Sequence, residues 1–119
     1  MLQTYPNPMH ILIADDDPVN QTVIRQYLKI LGHGSRVVSD GIEAIAAFEE
    51  LVYDIVFMDL NMPRLDGWEA TRLIRETHGS EPFIIAISAL RNEEAMERIS
   101  KSPFNSYLPK PVSKKSLTN

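Results

Sequence analysis

With 119 residues, the chain is long enough for one domain with a substantial core and too short for two. Its 44% hydrophobic and 24% charged residues are ordinary for a globular protein, and its formal net charge of −4 argues against direct binding to nucleic acid or to an anionic membrane. The sequence contains no cysteine, no apolar run long enough to cross a bilayer and no recognisable secretion signal, which excludes disulfides and thiolate sites and leads us to expect a cytoplasmic protein.

The beginning of the chain differs from the rest. Residues 1–9 contain Pro6 and Pro8 and show little apolar periodicity, so we expect them to form a flexible lead-in. A single domain is then predicted over residues 10–119. Its first apolar run, Ile11–Ala14, has no polar alternation, which is typical of a parallel strand covered on both faces.

A first helix is predicted by its start signal, its periodicity and its stop signal. Asp17 is a good N-terminal cap, Pro18 is tolerated at the first helical position, and Gly32 is a good stop. We therefore interpret Asp17 as a cap and not as a metal ligand. The apolar stripe of this helix is predicted to consist of Val19, Val23, Ile24, Tyr27, Leu28 and Leu31.

The rest of the chain alternates short apolar runs with helical patterns. We predict strands at 35–39, 55–58, 83–87 and 107–108, and helices at 42–51, 68–77 and 92–100. Strands that alternate with helices over short connections specify a parallel sheet with right-handed crossovers, that is, a doubly wound α/β fold. Because eight residues follow Pro111, we expect a truncated last helix.

Polar side chains follow the predicted strands at the points where they end. Asp15 and Asp16 follow the first strand, Asp59 the third, Ser88 the fourth and Lys110 the last. The carboxyl ends of parallel strands share one edge of the sheet, so we expect these groups to converge there. Clustered carboxylates call for a cation, and Mg²⁺ leaves coordination positions for phosphate oxygens. An aspartate in such a site can attack phosphorus and form an acyl phosphate.

Four motifs, taken together in this order, resemble the receiver domain of two-component response regulators. Asp15 to Asp59 spans 44 residues, Asp59 to Ser88 spans 29, and Ser88 to Lys110 spans 22. The resemblance covers His10 to about Lys115 and implies a flavodoxin-like five-stranded sheet in the order 2-1-3-4-5. The motifs are ILIADDDPVN at 11–20, MDLNMPRLDG at 58–67, SA at 88–89 and YLPKP at 107–111. The sequences at 17–20 and 66–71 further resemble those of receiver domains in hybrid sensor histidine kinases.

The resemblance implies a phosphoacceptor and a metal site. Asp59 would accept a phosphoryl group from the phosphohistidine of a histidine kinase or a histidine phosphotransfer protein. Asp15 and Asp16 would hold Mg²⁺ together with Asp59 and the main-chain carbonyl of Asn61. The domain would then be a signalling switch of a phosphorelay that gains and loses its own phosphate, and not an enzyme with a turnover substrate.

The resemblance also implies how the switch would act. Lys110 and Ser88 would contact phosphoryl oxygens, and Tyr107 would change rotamer as Ser88 moves. The bond between Lys110 and Pro111 would be cis. The output would be a change in affinity for an output domain or protein partner that binds the face formed by helix 4, strand 5 and helix 5.

Two alternatives remain at this point. One is a Mg²⁺-dependent phosphatase that passes through an aspartyl phosphate; such enzymes of the haloacid dehalogenase type carry a second acid two residues after the nucleophile, where this chain has Asn61. The other is an interaction module that is not phosphorylated, which would be expected to lack an acid or the lysine. Incubation with a small phosphodonor and Mg²⁺, followed by intact mass for wild type and Asp59→Asn, discriminates the switch from a module that has lost phosphorylation and from a mere metal binder.

The chain departs from the family pattern near its end. Pro103 stands where the family usually has glycine, and because proline cannot adopt positive φ, helix 4 must end without a left-handed residue there. The short last helix would leave part of the signalling face uncovered. We therefore expect marginal stability or self-association, which sedimentation would test.

Overall fold

The computed structural model of the protein describes residues 9–90 and 92–118. Within these ranges, five strands form one parallel sheet in the order β2-β1-β3-β4-β5. The strands are β1 (Ile11–Ala14), β2 (Arg36–Val38), β3 (Ile55–Asp59), β4 (Phe83–Ser88) and β5 (Ser106–Pro109), and the helices are α1 (Pro18–Ile30), α2 (Gly41–Glu50), α3 (Gly67–His78), α4 (Glu93–Ser100) and α5 (Lys114–Thr118). The predicted doubly wound, flavodoxin-like fold is confirmed, and α5 is short, with five residues.

The core forms two layers because successive strand residues point to opposite faces of the sheet. On one face, Ile13 and Phe57 pack with residues of α1 and α5, including Ile24 and Leu117. On the other face, residues such as Val56 pack with α2 and α3. The predicted lead-in lies outside the described residues except for Met9, which packs against the first of these layers.

One apolar residue of α1 lies outside the face that the sequence pattern predicted to be buried. Val19 is 68% exposed, so its place in the predicted apolar stripe was wrong. The face that α1 buries carries Asn20, Ile24, Tyr27 and Leu28. These four positions follow the helical period, and Val19 lies about 100° away from Asn20 around the axis.

Helix α4 ends without a left-handed residue. Its C-cap is Lys101, with φ −92° and ψ −5°, whose N–H donates to the carbonyl of Glu97. The turn that follows is held from α3, because the Arg75 guanidinium donates to the carbonyl of Pro103 at 3.0 Å and to Oδ1 of Asn105 at 2.7 Å. The expectation drawn from Pro103 is thus met.

A small aromatic cluster connects α3 to α4. The guanidinium of Arg98 lies 3.8 Å from the centroid of the Trp68 ring, and Phe104 packs edge-on against the same ring with centroids 5.6 Å apart. Ile99 is the buried residue of α4. This short helix is therefore held by few side chains.

None of the helices within residues 9–90 and 92–118 combines the length and the apolar character needed to span a bilayer.

Candidate functional site

Three carboxylates meet at the carboxyl edge of the sheet. The parallel pairing of β1 with β3 sets Ala14 beside Met58, so the next residues, Asp15 and Asp59, end side by side. Asp15, Asp16 and Asp59 each offer an oxygen within 4.8 Å of the others. Asp15 and Asp59 are fully buried, whereas Asp16 is exposed. Such a cluster concentrates negative charge at one point and suits a hard divalent cation.

Asp15 has one satisfied oxygen and one without a partner. Its Oδ1 accepts a hydrogen bond from the Asp17 amide at 2.8 Å, while the buried Oδ2 has no hydrogen-bond partner among the described residues. Burial raises the pKa of Asp15 to about 7; the Asp17 bond opposes that rise and the charge of Asp59 adds to it. An unpartnered buried carboxylate oxygen is costly, and a bound cation would satisfy it.

Asp59 is held from two sides. Its Oδ1 accepts from the Asn61 amide at 3.0 Å, and its Oδ2 accepts from Lys110 Nζ at 2.8 Å. Burial raises the pKa of Asp59, although the Lys110 bond opposes the rise. Burial alone would lower the pKa of Lys110, but its bond to Asp59 and the Asp59 charge outweigh burial and raise it. Lys110 therefore remains a cation beside the carboxylate.

Ser88 and Tyr107 occupy the neighbouring strands. The buried Ser88 lies at the end of β4, where its Oγ accepts from the Leu90 amide at 3.0 Å. Its hydroxyl proton can therefore be donated to another acceptor. Tyr107 Oη donates to the carbonyls of Ser88 at 3.5 Å and Leu90 at 3.3 Å, so the phenol spans the start of the β4–α4 connection. The Lys110–Pro111 bond is cis.

The family model of the response regulator receiver domain matches residues 11–119. The chain belongs to this family. Sensor protein EvgS of Escherichia coli K12 is 39% identical over 95 residues, covering 80% of this chain and 8% of that protein. This receiver domain spans less than a fifth of the length of the curated relatives first matched.

The solved structures that share the fold of this receiver domain include the following two. One is the receiver domain of sensor histidine kinase PA1611 from Pseudomonas aeruginosa PAO1, with magnesium coordinated in its active site cleft; it is 39% identical, with a TM-score of 0.82, over 94% of this chain and 93% of that one. The other is the receiver domain of Ssk1 in complex with the histidine phosphotransfer protein Ypd1 of Saccharomyces cerevisiae. It is 26% identical, with a TM-score of 0.84, over 93% of this chain and 84% of that one.

The loop that carries Asn61 in this receiver domain is anchored to α2. Asp40 Oδ2 accepts two hydrogen bonds from Arg64, at 2.9 Å from Nε and 2.6 Å from Nη2, and the Gly41 amide donates to the Leu65 carbonyl at 2.9 Å. Arg64 adopts a φ of 65°. A bond from the Glu43 amide lowers the pKa of Asp40, and the bonds from Arg64 add to that effect. The sequence analysis did not predict this anchor.

The same loop ends in a close approach of two main chains. A Cβ on Gly67 would lie 2.1 Å from the carbonyl oxygen of Asp59, and the Gly67 amide donates to the Leu60 carbonyl at 3.2 Å. Helix α3 therefore begins directly against the end of β3. Asp66 accepts from the Glu69 amide at 2.9 Å and caps the N-terminus of α3.

Proposed function

We propose that this receiver domain is a phosphoacceptor switch of a phosphorelay and that Asp59 is the residue that is phosphorylated. The observation that supports this most is the environment of Asp59, a buried carboxylate that bonds Lys110 at 2.8 Å and lies within 4.8 Å of two other carboxylates. The proposed donor is the phosphohistidine of a histidine kinase or a histidine phosphotransfer protein. The kinds of relatives that the chain matches support this choice.

The proposed transfer is a displacement at phosphorus. A carboxylate oxygen of Asp59 forms the new P–O bond while the P–N bond to the donor imidazole breaks. The bonding pair leaves with the ring nitrogen, and the imidazole departs neutral when its other nitrogen carries a proton. Lys110 offsets charge on the phosphoryl oxygens, and Ser88 donates a hydrogen bond to one of them. The domain acts on itself and has no turnover substrate.

We further propose a Mg²⁺ site at the acidic cluster. The unpartnered Oδ2 of Asp15 and the all-oxygen donor set fit this hard cation. When bound, Mg²⁺ would neutralise part of the negative charge that carboxylates and phosphoryl oxygens bring together. The proposed ligands are Asp15, Asp16, Asp59 and the main-chain carbonyl of Asn61.

Phosphorylation would act on the β4–α4 connection. A new dianionic group beside Lys110 would offer the Ser88 hydroxyl an acceptor, and movement toward it would draw Oγ away from the Leu90 amide. If the main chain at 88–90 moves with Ser88, the carbonyls of Ser88 and Leu90 to which Tyr107 donates are displaced, so the Tyr107 rotamer changes and the equilibrium between two conformations shifts. The proposed output is a change in partner affinity at the face formed by α4, β5 and α5. Self-association through this face and a cytoplasmic location stay predictions.

Phosphorylation of Asp59 is tested by intact mass. After incubation with Mg²⁺ and a small phosphodonor such as acetyl phosphate, wild type should gain the mass of one phosphoryl group, and Asp59→Asn should gain none. Asp17→Asn is the matched control, because Asp17 lies in the same acidic run but caps α1 through the Val19 amide. A wild-type protein that stays unmodified would contradict the proposal, as would equal labelling of the Asp59→Asn protein.

Leu90 should give the phosphorylated domain a long lifetime. Its side chain is apolar and 59% exposed, so it offers no group that orients an attacking water. Leu90→Glu is expected to speed loss of the phosphoryl group about tenfold or more by supplying a general base. The decay is followed by intact mass after removal of the donor, with Leu90→Gln as the uncharged control. An unchanged decay rate in Leu90→Glu would reject this explanation.

A further inference from the structure

Asn20 is a buried polar residue on the core-facing side of α1. It is 2% exposed and shares that side of the helix with Ile24 and Leu28. Its Oδ1 accepts a hydrogen bond from the Val112 amide at 3.3 Å, which joins residues 92 positions apart. An apolar side chain at this position would leave the Val112 amide buried without that bond. Asn20 therefore ties the first turn of α1 to the segment after β5.

The segment tied in this way carries Lys110. The main-chain amide of Lys110 donates to the Ser88 carbonyl at 3.0 Å, and the bond to Asn20 holds the chain two residues later, at Val112. The Val112 side chain is buried in the same core layer. A lysine amine sits on a flexible four-carbon stem, so the position of its Nζ depends on where its main chain is held. Two backbone anchors thus bracket the residue whose Nζ lies 2.8 Å from Asp59.

The same turn of α1 also contacts the acidic loop. Gln21, which follows Asn20 in the sequence, donates from its Nε2 to the carbonyl oxygen of Asp15. One turn of helix thereby contacts the chain on both sides of the site: Gln21 bonds the main chain of Asp15, and Asn20 bonds the main chain two residues after Lys110. The acidic loop and the segment that carries Lys110 are therefore both held by the same turn of α1.

We propose that Asn20 is a positioning residue that holds Lys110 against Asp59. This inference rests on the proposed role of Lys110 at the phosphoryl group. Loss of the Asn20 oxygen frees the 110–112 segment to shift, which weakens the contact between Lys110 and Asp59 and slows phosphorylation. Because Asn20 does not touch the reacting atoms, its effect passes entirely through Lys110.

The first test measures the reactivity of the Lys110 amine toward an acetylating reagent. Peptide mass spectrometry follows acetylation of Lys110 by limiting N-acetoxysuccinimide, with the exposed Lys29 of the same protein as the reference. Asn20→Ala should raise the relative rate at Lys110 about threefold or more, because an amine that is held less firmly against Asp59 is more accessible to the reagent. Asn20→Ser keeps an uncharged acceptor oxygen and should raise the rate less than Asn20→Ala does. Ile74→Val, a core change on the other face of the sheet, should leave the rate unchanged.

The second test is a double-mutant cycle on the rate of phosphorylation by acetyl phosphate. Asn20→Ala alone should slow labelling of Asp59 about tenfold, but in a Lys110→Ala background it should slow it no further. The inference would be overturned by equal slowing in both backgrounds or by an unchanged rate of Lys110 acetylation in Asn20→Ala. It would also be overturned if Ile74→Val raised the rate of Lys110 acetylation as much as Asn20→Ala does. If wild type takes up no phosphoryl group, the proposed function fails, while the acetylation comparison still decides the role of Asn20.

Discussion

Gly67→Ala should destabilise the domain severely, although it adds a single methyl group. The new Cβ would meet the carbonyl oxygen of Asp59 at 2.1 Å, and since that atom belongs to the main chain of β3, no side chain can rotate to relieve the clash. Helix α3 would have to move away from the sheet. We expect a loss of more than about 4 kcal/mol in the free energy of unfolding, or failure to fold, measured by urea unfolding followed by circular dichroism.

Gly34→Ala is the matched control for that substitution. A Cβ on Gly34 meets nothing within 4 Å, and its φ is not in the left-handed region. Its unfolding free energy should therefore change by less than about 1 kcal/mol. If Gly67→Ala and Gly34→Ala unfold at the same urea concentration, the close approach of α3 to β3 is not the constraint that we describe.

Asp15→Asn should stabilise the metal-free protein at alkaline pH. The pKa of Asp15 in the folded protein is about 7, above its ordinary value of 3.8. Between these values the folded protein keeps a proton that the unfolded chain has released, so stability falls as pH rises from about 4 to about 7. Above pH 7 the whole cost is present, at most about 4 kcal/mol for a shift of roughly three units. The neutral amide of the Asp15→Asn variant carries no such cost.

Urea unfolding at pH 5 and pH 8, with and without Mg²⁺, tests this expectation. In EDTA the stabilising effect of Asp15→Asn should be larger at pH 8 than at pH 5, by about 1–3 kcal/mol. Added Mg²⁺ should stabilise wild type more than the variant, because it binds the folded state through the carboxylate that the variant lacks. Asp17→Asn, which keeps a cap on α1, should show neither effect. Equal responses of Asp15→Asn and wild type at both pH values would contradict this account.

The parts of the fold and site that follow local rules could be predicted from the sequence. Asp17 and Asp66 cap helices because a short acceptor there satisfies an exposed amide, a rule that needs no knowledge of distant residues. The meeting of Asp15 with Asp59 follows from parallel strands that end at one edge. The functional roles given to these acids and to Lys110 came from family resemblance and stay proposals.

The contacts that position the site depend on distant parts of the chain. The Arg64–Asp40 pair joins residues 24 apart. Arg64 also has a φ of 65°, a left-handed conformation that glycine or asparagine would have indicated in the sequence and that arginine does not. The burial of Asn20 could have been predicted, because this polar residue lies one helical turn before Ile24 and therefore on the same face of α1. The predicted apolar stripe included Val19 instead, which is exposed.

The stacking of Arg98 on Trp68 gives this protein an intrinsic optical probe. Trp68 is the single tryptophan of the sequence, so all indole emission originates from the first turn of α3. We expect a guanidinium 3.8 Å from the ring centroid to influence that emission through its charge and its exclusion of water. Displacement of α4 would therefore alter the emission spectrum, and the kinetics of signalling can be followed in real time without attaching a dye.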